Sequence, residues 1–179
     1  TYNSTEWDNF VKKIDIIDSL KKIRIVMAGK YVKLKDSYKS LNEALLHAAI
    51  ENGVKLEIDY LDTEEKKDVI ENKIKNSNGL IIPGGFGGRG IEGKIYSIRL
   101  ARELKIPFLG ICLGMQCAAI EFARDVLGLK DANSLEFNLK TKNPVITLME
   151  NQKNVSKGGT MRLGNYPCTI KKNTLAYKI

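Results

Sequence analysis

Gly110-Ile111-Cys112-Leu113-Gly114 is the stretch of this sequence best suited to covalent chemistry. It has the G-x-nucleophile-x-G form of a nucleophile elbow, in which small residues let the chain turn sharply from a strand into a helix. A cysteine at such a turn sits at a helix N-terminus, where free N–H groups and the helix dipole favour a thiolate. The backbone N–H of Leu113 is then aimed at any carbonyl under attack. The alternative reading of Cys112 is an inert buried cysteine. A second unusual segment is Gly84-Gly85-Phe86-Gly87-Gly88-Arg89-Gly90. Glycines there let a backbone N–H swing towards a developing oxyanion with no Cβ in the way, so this loop and Leu113 could make a two-donor hole. A phosphate cradle fits less well, because the run has neither a GK[ST] ending nor GxGxxG spacing. A flexible surface turn is the remaining alternative.

The other reactive residue types are sparse. The sequence has three cysteines, and Cys112 and Cys117 match neither a CxxC redox pair nor a zinc knuckle, so no metal site is expected. A reducing cytosol suits this pattern, and a cytoplasmic location is expected. The single histidine, His47, falls in the middle of an expected helix. It lies about ten residues, on the order of 15 Å, from that helix's N-terminus, which suits a surface or half-buried helix residue better than a base beside Cys112.

The elements that must position these residues follow a regular order. The first twenty residues lack rhythm and read as a linker or arm (1–20), with one further domain over 21–179. Ile23 to Ala28 is a short apolar run stopped by Gly29, as expected of a strand buried on both faces. Leu41, Ala44, Leu45, Ala48 and Ala49 repeat at helical spacing, with Ser40 and Glu43 placed as a capping box and Gly53 as the stop. Leu56, Ile58 and Tyr60 alternate with charged residues, the pattern of an outer strand. A charged helix over 64–75 leads to the strand Leu80-Ile81-Ile82 and the glycine-rich loop. A helix bearing Ile91, Ile95, Ile98 and Ala101 then precedes the strand over 107–111. After the elbow, Met115, Ala118, Ala119, Phe122, Ala123 and Val126 are expected to form one apolar helix face. Strands are further expected over 145–149 and, more weakly, 168–170.

Strands alternating with helices imply parallel pairing through right-handed crossovers. The expected fold is therefore α/β, a doubly wound, mostly parallel sheet flanked by helices. Loops beyond the carboxyl ends of such strands form the ligand crevice, and both unusual segments lie there. Composition agrees with a globular chain: 43% hydrophobic and 28% charged residues favour neither disorder nor a membrane class. The net charge of +8 comes from scattered lysines without interleaved aromatics, so it reads as a solvated surface and not a nucleic-acid face.

Several segments together resemble the glutaminase domain of the CTP synthase family. They are Ala28-Gly29-Lys30-Tyr31-Val32, Asp36-Ser37-Tyr38-Lys39-Ser40, Pro83-Gly84-Gly85-Phe86-Gly87, Gly110-Ile111-Cys112-Leu113-Gly114-Met115-Gln116, Asn133-Ser134-Leu135-Glu136-Phe137 and Gly158-Gly159-Thr160-Met161-Arg162-Leu163-Gly164. The arm with Glu6 and Trp7 resembles the linker that follows that family's synthetase domain. The resemblance implies a flavodoxin-like class I glutaminase fold, with Cys112 as catalytic nucleophile and Gly85 and Leu113 as oxyanion donors. Gly85, Leu113, Gly114, Met115, Gln116 and Glu136 would bind L-glutamine, Glu136 meeting the α-ammonium. It implies no cofactor in this domain, but ATP, Mg2+ and UTP in a synthetase domain of the same parent, GTP as an activator, and a homotetramer. No nucleic-acid or membrane partner is expected.

The sequence departs from that family in two linked respects: neither the His-Pro-Glu segment that activates the thiol nor the arginine- and histidine-rich stretch before it, which helps hold glutamine, is found among these residues. A histidine would deprotonate the thiol and protonate departing ammonia, so the chain alone is expected to be nearly inactive. The alternatives are the glutaminase domain of another amidotransferase, a redox or glyoxalase-type protein of the same fold class, or a non-catalytic glutamine-binding module.

Overall fold

The computed structural model describes residues 5–30, 35–149, 165 and 167–178. Tyr31, Val32 and residues 158–164, part of the resemblance set out above, lie outside them. The chain divides into two compact units, Thr1–Thr147 and Leu148–Ile179.

The first unit is built on a sheet of four parallel strands: β1 (Lys22–Gly29), β2 (Lys55–Asp62), β3 (Gly79–Ile82) and β4 (Phe108–Gly110), in the order β2-β1-β3-β4. Among the described residues five α-helices accompany it: α1 (Thr5–Asp15), α2 (Lys39–Glu51), α3 (Lys67–Lys75), α4 (Ile91–Glu103) and α5 (Leu113–Asp125). The pattern is the doubly wound one expected from the alternation of elements. Its direction of winding reverses between β1 and β3, the place where such sheets open a crevice.

Side chains on the strands alternate between two cores. Val26, Ala28, Leu80 and Ile82 join Ile70 and Ile74 of α3, Ile91, Ile95 and Ile98 of α4, and Leu113, Cys117 and Ile120 of α5 in one cluster. Met27 and Ile81 are buried but stand outside that cluster, as do Ala49 and Ile50 of α2. β2 is an edge strand, as its alternation suggested, and every residue of it but Leu61 is only partly buried.

The arm over 1–20 carries a helix: α1 packs on α2 and is tied to it by Lys13 Nζ, which donates to Glu51 at 2.7 Å. Three local expectations are corrected. Ser40 does not cap α2, because a 3-10 turn (Lys35–Tyr38) runs directly into it and puts Tyr38 at the cap position, where its side chain makes no capping hydrogen bond. The strand expected over 145–149 is the shorter β6 (Pro144–Ile146), paired with β5 (Asn133–Ser134). Residues 168–170 form no strand; the regular element described in the second unit is the short helix α6 (Leu175–Lys178).

The largest correction concerns α5. Its buried residues are Leu113, Gly114, Cys117, Ile120, Glu121 and Ala123, whereas Met115 and Phe122 are 54% and 49% exposed and Val126 is exposed too. Both sets recur at helical spacing, so periodicity could not choose between them. The choice is made at the first turn, where Gly114 lies hard against β3.

Candidate active site

The elbow is made by steric constraint. Ile111 N–H donates to the Ile82 carbonyl at 2.9 Å, which carries the β4 pairing one residue past the strand. Gly114 N–H then reaches back to the Ile111 carbonyl at 2.9 Å, and the Cys112 carbonyl accepts the first helical bond from Gln116 at 3.1 Å. A turn this tight leaves no room at its two glycines. A Cβ on Gly110 would stand 2.6 Å from the Gly114 carbonyl carbon, and one on Gly114 would overlap the Ile82 carbonyl oxygen. Between them Cys112 takes φ 52° and ψ −105°, a conformation that L-residues seldom adopt. Such backbone costs about 1–3 kcal/mol and persists where the surroundings over-determine it. The result is an exposed cysteine at the N-cap of α5.

Cys117, one turn further on, is the opposite case. It is fully buried, and burial pushes its thiol up to about 11. The described cysteine of the second unit, Cys168, is exposed.

The glycine-rich loop lies against the elbow. A Cβ on Gly84 would meet the Cys112 Cβ at 3.4 Å and its Sγ at 4.0 Å, and one on Gly85 would meet Leu113 Cδ2 at 3.5 Å. The structure therefore brings Gly85, Cys112, Leu113 and Gly114 into one place. Among the described residues, neither the Gly85 nor the Leu113 amide donates a backbone hydrogen bond. An amide at either position could donate to an incoming oxygen in the way an oxyanion hole requires.

Glu136 is brought to the same loop. It follows β5 in a turn in which its own N–H donates to Ser134 Oγ at 3.1 Å and Phe137 N–H to the Ser134 carbonyl. The half-buried carboxylate accepts the Gly87 N–H at 2.9 Å. Met115 is exposed and Gln116 half-buried at the start of α5. His47 is exposed on α2, far along the helix from its N-terminus.

Several residues around the loop were not singled out from the sequence. Lys30, just past β1, donates from Nζ to the Phe86 carbonyl at 2.5 Å. Arg89 pairs with Glu64 at 2.6 Å. Lys94 is only 2% exposed, and its ammonium reaches Thr63 Oγ1 and the Arg89 carbonyl at 3.4 Å each. Burial holds its pKa below the ordinary lysine value. A signal for Lys94 was present, since it lies between Ile91, Ile95 and Ile98 on the buried stripe of α4. Nothing in the sequence ties Lys30 to residue 86, because only the fold brings the two together.

Comparison with known proteins shows the family. The family model for class-I glutamine amidotransferases matches residues 33–178. The CTP synthase of Fibrobacter succinogenes is 52% identical over 176 residues, which is 98% of this chain and 31% of that protein. The CTP synthase of Methanocaldococcus jannaschii is 50% identical over 182 residues, 97% of this chain and 33% of that protein. The chain thus spans about a third of the length of these curated relatives. Among solved structures, the glutaminase domain of Trypanosoma brucei CTPS with bound acivicin is similar with a TM-score of 0.68 and 39% identity, over 74% of this chain and 52% of that one. With a family match over most of its length and a fold similar to that of a solved glutaminase domain, this chain belongs to the class-I glutamine amidotransferases.

Proposed function

We propose that this chain is the glutamine-hydrolysing part of a CTP synthase. The observation that carries the reading is Cys112, held at positive φ on the N-cap of α5 and facing the Gly84-Gly85 turn. In this reading Cys112 Sγ, as thiolate, bonds to the carboxamide carbon of L-glutamine while the C=O π electrons move onto oxygen. The Gly85 and Leu113 amides hold that oxyanion, a contribution that typically amounts to ~10²–10³ in rate per donor. Collapse breaks the C–N bond, a proton goes to the departing nitrogen, and ammonia leaves. Water then cleaves the thioester to glutamate and restores the thiol. Gly114, Met115, Gln116 and Glu136 line the glutamine site, the Glu136 carboxylate answering the α-ammonium.

The proton carrier is not His47, which is exposed on α2 and is the sequence's single histidine. The reading assigns that task to a histidine–glutamate pair elsewhere in the whole protein. The ammonia would pass to a synthetase domain of the same parent that aminates UTP at the expense of ATP with Mg2+. GTP would activate glutamine hydrolysis, and the parent would be a cytoplasmic homotetramer. Among the described residues no group of three or more His, Cys, Asp or Glu is placed to hold a metal ion, and no step is assigned to one here. No helix among them is long and apolar enough to cross a membrane.

The test is Cys112→Ala in the whole protein. Free ammonia bypasses the thioester, whereas glutamine needs a nucleophile. The variant should make CTP from UTP, ATP and ammonium salts at near-normal rates and make almost none from glutamine. Efficient use of glutamine by the variant would overturn the assignment.

A further inference from the structure

The glycine-rich loop has little to hold it in shape. Gly84, Phe86, Gly88 and Arg89 are exposed, and four of residues 84–88 are glycines with no Cβ to restrict them. Among the described residues, the amides of 84–87 donate no backbone–backbone hydrogen bond. A peptide unit in such a segment can turn over at small cost, and every turn would re-aim the amides on either side.

One peptide of the loop is nonetheless gripped from both ends. The Phe86 carbonyl accepts from Lys30 Nζ at 2.5 Å, and the N–H on the other side of that C–N bond, at Gly87, donates to Glu136 Oε1 at 2.9 Å. The cation lies on the oxygen and the anion on the N–H, the arrangement in which each charge matches the partial charge it meets. Bonds of this charge-assisted kind are roughly twice as strong as neutral ones. The two charges come from distant parts of the sequence. Lys30 leaves the end of β1, at the point where the sheet's winding reverses, and Glu136 follows β5. Turning the Phe86–Gly87 peptide over would break both bonds and set each charge against the wrong pole.

We propose that Lys30 and Glu136 form a clamp on the Phe86–Gly87 peptide that fixes the loop and so aims the Gly85 N–H at the oxyanion. Lys30 is thus a positioning residue for glutamine hydrolysis, acting through the Phe86 carbonyl. The inference rests on the proposed glutaminase reading. It also deepens that reading, because Glu136, the carboxylate proposed to meet the substrate's α-ammonium, is the same one that holds the Gly87 N–H. Recognition of an amino acid and alignment of the oxyanion donor are joined in one carboxylate.

The test uses Lys30→Met and Lys30→Arg in the whole protein, because Glu136 itself would confound clamp and binding. Removing the cation should lower kcat for glutamine-dependent CTP formation by ~10- to 100-fold, on the scale of a donor misplaced by about an ångström. The KM for glutamine should stay within about threefold, the pattern of a lost transition-state contact. Lys30→Arg should recover most of the rate, since a guanidinium can also donate to the Phe86 carbonyl. Ammonia-dependent synthesis, measured on the same samples, reports whether the protein is intact. An unchanged kcat, a rise in KM alone, or a parallel loss of the ammonia-dependent reaction would each overturn the clamp. The underlying reading fails in a different place: it falls if the unsubstituted protein does not use glutamine, or if Cys112→Ala still does.

Discussion

Gly114 sets two expectations against each other. It lies inside α5, where replacing glycine by alanine ordinarily stabilises a helix by about 1 kcal/mol. The packing at this position says the reverse. The new Cβ would overlap the Ile82 carbonyl oxygen and stand 3.0 Å from the Ile82 carbonyl carbon and 3.1 Å from its Cβ. Ile82 is fully buried in β3, and its carbonyl is already held by the Ile111 N–H at 2.9 Å, so neither side can yield cheaply. α5 would have to back away by about an ångström before the contact became ordinary. Overpacking a core costs about 1–3 kcal/mol, and a backbone obstacle belongs at the upper end. Subtracting the helix-propensity gain leaves a net loss of ~2 kcal/mol, which for a domain of this size lowers Tm by about 4–8 °C. Gly88→Ala is the control, because its Cβ would meet nothing within 4 Å and Tm should barely move. Thermal unfolding of both variants gives the comparison. The displacement also moves Cys112, the N-cap of the same helix, so glutamine turnover in the whole protein should fall by ~10²-fold. A Gly114→Ala chain that melts at or above the parent temperature would refute the steric account of the elbow.

Labelling should distinguish the cysteines: with a glutamine-like electrophile at pH 8, peptide mapping should find Cys112 modified in preference to exposed Cys168 and to buried Cys117. Burial, opposed by the Lys94 ammonium, puts the Cys117 thiol at about 11 against its ordinary 9.0. Its neutral form therefore favours the folded state below pH 9, and that contribution is lost as the pH rises towards 11. Cys117 should accordingly become reactive only over that alkaline range, and its modification at pH 8 would contradict the burial. Arg102 donates from Nε and Nη2 to Glu121 Oε1 at 2.9 and 2.8 Å, and Glu121 is 1% exposed. Arg102→Ala should cost ~3–5 kcal/mol in denaturant unfolding by stranding a buried charge, and adding Glu121→Gln should recover part of it. Equal stability of single variant and parent would show that Glu121 has another partner.

The alternation of strand and helix along this sequence was enough to give a doubly wound, mostly parallel sheet, and the elbow could be recognised because its glycines flank a cysteine at fixed spacing. The helix faces were harder to read. α5 carries apolar residues nearly all round, so Leu113, Cys117 and Ile120 competed with Met115, Phe122 and Val126 for the buried side. The contact between Gly114 and Ile82 settled the rotation, and such a contact links residues more than thirty positions apart. Lys30 and Glu136 raise the same difficulty in the loop. Nothing in the sequence ties either residue to the loop, and each acquires that partner only when β1, β3 and β5 bring residues 30, 86, 87 and 136 together. Sequence patterns report what is local: turns, periods and strand order. The strained φ of Cys112 and the clamped Phe86–Gly87 peptide are held by those distant contacts, and it is these that would turn a cysteine and a run of glycines into a nucleophile facing an oxyanion hole.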